Sequence, residues 1–109
     1  GYERGMTRPE LVFVSTGTDG AAELVVNFGV YSGREATPAE VQRLAHALLE
    51  HVPAVEVVGE HRYEFSRDAE ATVYRLRIFV PGAGARAAEL RDTVAAWAED
   101  CIDERYVAP

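Results

Sequence analysis

Between residues 54 and 81 the polarity of the chain alternates almost residue by residue, and this stretch constrains the fold more than any other. The odd positions include Val55, Val57, His61, Tyr63 and Phe65; the even ones include Glu56, Val58, Glu60, Arg62 and Glu64. Successive Cβ atoms of a strand point to opposite faces, so the pattern reads as a strand with one apolar side. Further along, Tyr74, Leu76, Ile78 and Val80 form a second apolar row, with Val73, Arg75, Arg77 and Phe79 on the other side. The intervening Ser66-Arg67-Asp68-Ala69 is polar enough to turn the chain. Pairing Ser66 with Ala69 puts both apolar rows on one face. It also sets Glu60 opposite Arg75 on the other face, a cross-strand pair worth roughly a few tenths of a kcal/mol.

Two shorter strands are expected upstream. Residues 10–15 are β-branched or aromatic, and Thr16-Gly17-Thr18-Asp19-Gly20 is a turn by composition. Residues 23–32 continue with Leu24, Val26, Phe28 and Val30 on one face of a second strand; Gly29 within it marks a bulge or a close backbone approach. Gly33 ends that strand, and Arg34-Glu35-Ala36 is a polar connector.

Thr37-Pro38-Ala39-Glu40 is a helix start: Thr37 caps, Pro38 suits the first helical position, and Glu40 reaches back as in a capping box. Val41, Leu44, Ala45, Leu48, Leu49 and Val52 then recur at helical spacing, with Gln42, Arg43, His46 and Glu50 opposite, and Pro53 stops the helix. After the loop Pro81-Gly82-Ala83-Gly84, a second stripe is formed by Ala87, Leu90, Val94, Trp97, Ala98 and Cys101. Its outer face carries Glu89, Asp92, Glu99, Asp100 and Asp103. Asp103 and Glu104 oppose the helix dipole, so fraying is expected there.

The order strand, strand, helix therefore occurs twice, offset by about fifty residues. Val26, Phe28 and Val30 align with Leu76, Ile78 and Val80. Two amphipathic helices can cover only one side of a sheet. The expected fold is thus a single α+β domain over residues 1–109. It is a two-layer sandwich of a four-stranded, mainly antiparallel sheet with two helices on one face (ββαββα) and strand order 1-2-4-3. Residues 1–9 and 104–109 are expected to be flexible.

Charge narrows the functions. The chain has 11 basic and 18 acidic residues, a formal net charge of −7, which disfavours a sequence-independent grip on nucleic acid or anionic lipid. All the basic residues are arginine, and the chain is rich in Ala and Val, as in a GC-rich bacterial genome. The single Cys101 fits a reducing compartment; no apolar run is long enough to span a membrane, and no signal-peptide order opens the chain, so a cytoplasmic location is expected.

Few residues suggest chemistry. His61 and Tyr63 lie on the hairpin face that should meet the helices and are the candidate lining of a ligand pocket. His46 and Glu50, four apart, lack the further ligands of a metal site. Cys101, among acidic neighbours, reads as a small buried hydrophobe rather than a nucleophile. The Pro81–Gly84 loop is the one segment able to offer backbone N–H groups to an anion. No catalytic residue, metal or cofactor is expected. The other sheet face, with Val25, Tyr31, Val58, Val73, Arg75, Arg77 and Phe79, has the mixed apolar and arginine make-up of an interface. The expected function is a non-catalytic binding or assembly domain, forming a homodimer or docking another protein. The alternative is a small enzyme or ligand sensor with a pocket between sheet and helices.

Overall fold

The computed structural model describes residues 10–16 and 20–107, with side chains at 10–14 and 20–103. The flexibility expected at residues 1–9 and 108–109 lies outside the described residues. Strands β1 (Val12–Thr16), β2 (Ala22–Val26), β3 (Glu56–Phe65) and β4 (Glu70–Val80) form one sheet in the order β1-β2-β4-β3, antiparallel throughout. This is the α+β sandwich, and the strand order, that the sequence leads one to expect.

The hairpin adopts the expected register. Ser66 N donates to Ala69 O at 2.8 Å, Phe65 faces Glu70, and Glu60 faces Arg75. The ion pair itself forms on the diagonal: Arg77 Nε donates to Glu60 Oε2 at 2.8 Å, and Arg77 Nη1 reaches Glu23 on β2. One guanidinium thus ties three neighbouring strands together on the uncovered face.

The second strand is shorter than its alternation suggests. It ends at Val26, and Phe28–Ser32 forms a helical turn, α1. The strand gives way at buried Asn27: its N–H makes the last rung to β1, donating to Leu11 O at 2.8 Å, and its Nδ2 donates to Glu10 O at 2.7 Å. Phe28 and Ser32, four apart, then turn inward, and the Ser32 hydroxyl bonds Phe28 O. Tyr31 is therefore on α1 and not on the outer sheet face, and the alignment of Phe28 and Val30 with Ile78 and Val80 fails for the same reason. Gly29 does mark a close approach: a Cβ there would lie 2.8 Å from Tyr74 N and 2.9 Å from Tyr74 O. Gly33 closes the turn at φ 76°, a left-handed value that suits glycine.

Helix α2 (Pro38–Leu49) starts with the complete capping box. Thr37 N donates to Glu40 Oε1 at 2.9 Å, and Glu40 N donates to Thr37 Oγ1 at 3.2 Å. After a 3₁₀ turn (Gly84–Arg86), α3 (Ala87–Val107) continues past Asp103 rather than fraying there. All six residues of the expected α3 stripe are buried, Cys101 completely.

These side chains and the sheet make one core. Val12, Val26, Leu76 and Gly59 form one transverse row across the helix-covered face; Val14, Leu24, Ile78 and Val57 form the next. Leu44, Leu48, Leu90, Val94 and Trp97 close over these rows. Trp97 also packs on Phe28, with centroids 5.6 Å apart, and donates its indole N–H to Glu40 O at 2.9 Å. The helices stop short of the hairpin tip, and every residue from 61 to 72 is exposed. The distal half of β3 and β4 therefore projects as a two-stranded arm.

Candidate functional site

A groove of about 460 Å³ lies between the sheet and the α1–α2 segment. Its apolar wall includes Phe28, Val41, Val57, Tyr74 and Leu76; Glu35, Gln42 and Arg75 bring polar atoms to it. Gly59 lies on its sheet side, and a Cβ built there meets nothing within 4 Å. The Arg75 side chain itself points to the outer face of β4, where its Nε is buried and has no hydrogen-bond partner within the described residues.

The groove's upper wall is held by charge. Arg34 places both terminal nitrogens on the Glu40 carboxylate, each at 2.8 Å, and its guanidinium lies 5.3 Å from the centroid of Phe28. The Arg34 guanidinium, helped by the Thr37 N–H, holds the Glu40 carboxyl down at about 2 against the opposing effect of burial. Arg34 is raised in return, chiefly by that hydrogen bond. On the outer face Arg77 lowers Glu60 in the same way.

Neither His61 nor Tyr63 lines the groove; His61 touches two residues that do, Glu35 and Tyr74. His61 is exposed, with Nε2 2.8 Å from Glu35 Oε2 and its ring edge-on to Tyr74 at 4.9 Å. Tyr63 is 64 % exposed on the arm, beyond the reach of the helices, with Phe65 at 72 %. The acid beside His61 is Glu35 of the connector; Glu60 and Glu64 lie on the opposite side of β3. Nothing in the local sequence marks that pair, because 26 residues separate its members.

The remaining candidates are accounted for by the fold. His46 and Glu50 are both exposed, and among the described residues no three His, Cys, Asp or Glu side chains converge as a metal site. Burial raises the Cys101 thiol, to which Arg43 Nη2 donates at 3.2 Å. In the Pro81–Gly84 loop, Gly84 N–H is committed to Gly20 O at 2.7 Å rather than turned outward to an anion.

Val25, Val58, Val73, Arg75, Arg77 and Phe79 share the outer sheet face with Phe13. Phe13 is 40 % and Val58 36 % exposed there; Val25, Val73 and Phe79 are half-buried around the Glu23–Arg77–Glu60 cluster. No described helix is long and apolar enough to cross a membrane.

No protein-family model, curated protein or solved structure matches the chain. The fold and its surfaces define a small α+β sandwich domain with one uncovered sheet face and a groove beside the edge strand β3.

Proposed function

We propose that the chain is a cytoplasmic, non-catalytic assembly domain that pairs with a second copy of itself. One observation carries this reading: of the six exposed large apolar side chains among the described residues, four lie on the sheet, at Phe13, Val58, Tyr63 and Phe65, and two, Val30 and Leu49, on the helices. Exposed aromatics on a projecting ribbon gain by removal from water, at ~25 cal/mol per Å² of apolar area. A twofold contact is self-complementary, so a surface mixing arginine and glutamate can pair with its own copy. Among the described residues, the outer-face residues Val25, Val58, Val73, Arg75, Arg77 and Phe79 offer one surface for such a contact and the arm another.

A second reading is favoured by the groove, whose size suits a small, largely apolar molecule. A ligand sensor would use it without acid–base chemistry. An enzyme would need a reacting group beside the His61–Glu35 pair, and both of those side chains are open to solvent. Light scattering at high micromolar concentration tests the leading reading. A mass near twice 12.0 kDa is expected; 12.0 kDa at every concentration would end it.

A further inference from the structure

β3 is an edge strand: among the described residues no strand pairs with its far side. It is also ten residues long, without proline, and such an edge is a template for another strand unless something blocks it. The backbone tells which residues face outward. Ser66 N bonds Ala69 O, and hydrogen-bonded pairs alternate along an antiparallel ladder. The even residues of β3 therefore turn their amides to β4. Val57, Gly59, His61, Tyr63 and Phe65 turn theirs to the open edge.

Resting on the assembly reading above, we infer that two copies join β3 to β3 in antiparallel register, with His61 opposite His61 at the twofold axis, and that each copy's Tyr63 and Phe65 close the groove of the other. A twofold axis normal to the sheet keeps each side chain on its own face, so only registers pairing odd with odd residues are allowed. A register centred on Glu60 sets like carboxylates face to face. One centred on Arg62 sets two guanidinia together and Glu60 against Glu64. The His61 register instead sets Glu60 opposite Arg62 twice and uses nearly the whole strand. Like charges directly opposite are destabilising and unlike ones favourable.

The same register completes the core. It brings Tyr63 of the second copy beside Gly59, and Phe65 beside Val57. Gly59 ends the row Val12–Val26–Leu76, with no side chain where the other strands of the row supply one. Val57 and Gly59 are also groove-lining residues of the edge strand. A ring supplied from the arm of the second copy extends that apolar row, as an aromatic facing a glycine does between paired strands. Two exposed aromatic side chains from each copy are withdrawn from water, and ~10 main-chain hydrogen bonds accompany them.

Single cysteines test the register in a Cys101→Ala background. His61→Cys should give a disulfide-linked dimer under mild oxidation. Glu64→Cys should not, because its two copies lie ~20 Å apart along the strands. Tyr63→Ala with Phe65→Ala, both exposed, should weaken dimerisation at least tenfold with an unchanged circular-dichroism spectrum, and Phe79→Asp should leave it intact. A dimer that ignores the arm substitutions, forms no disulfide in the His61→Cys variant and dissociates on Phe79→Asp overturns this inference while the assembly reading stands. A link through Tyr63→Cys instead of His61→Cys overturns the register. A monomer carrying a bound small molecule in native mass spectrometry overturns both.

Discussion

At Gly29 a single hydrogen atom lets α1 lie against the backbone of β4. Tyr74 N and O face the side where β2 has already ended, so α1 takes the place a continued strand would occupy. A methyl group at Gly29 would sit 2.8 Å from Tyr74 N, and that backbone is fixed by its place in β4. Gly29→Ala should therefore cost about 1–3 kcal/mol in chemical denaturation, although alanine ordinarily favours a helix. A variant as stable as the parent would mean that α1 is free to shift. The sequence shows that a glycine stands within an apolar run. It does not show whether bulge or contact explains it, because the partner Tyr74 is distant in the chain.

Among the elements, those with a sustained period were legible and the short one was not. β3 and β4 alternate over ten and eleven residues, and the Ser66–Ala69 turn pins their register. Helix α2 is announced by Thr37, Pro38 and Glu40, and α3 by the stripe ending in Cys101. At residues 23–32 the apolar residues recur every second position beyond the end of the strand. The ladder ends at Asn27, and the five helical residues that follow are too few to display a period of their own. The groove was illegible for a related reason: its upper wall depends on where the connector carrying Arg34 and Glu35 comes to rest. That wall has a testable pH dependence. Glu40 is held at about 2 in the fold against 4.5 ordinarily, so its contribution is complete above pH 4.5 and is lost as pH falls toward 2. Glu40→Gln should cost about 1–2 kcal/mol at pH 7, after allowance for solvent screening, and the deficit should shrink as the pH is lowered from 5 to 2. A deficit independent of pH would assign the effect to the capping geometry alone.

On the scale of the whole molecule, a layer of helices covers one side of a sheet that is longer than they are. The strand order and the single covered face follow from the sequence pattern. The placement of His61 and Tyr63 does not, since alternation assigns a side chain to a face but cannot say how far along the strand the helices reach. Tyr63 and Phe65 accordingly have the pattern of core residues and the exposure of surface ones. The proposed pairing of β3 with its copy would resolve that conflict, because the second molecule would supply the cover that α2 and α3 do not. Residue-resolved amide hydrogen exchange, compared at low and high protein concentration, tests this most directly. Val58, Glu60, Arg62 and Glu64, bonded to β4, should be protected similarly at both concentrations. Val57, Gly59, His61, Tyr63 and Phe65 should exchange rapidly when dilute and slow markedly when concentrated. Equal, rapid exchange of those five amides at both concentrations would contradict the account.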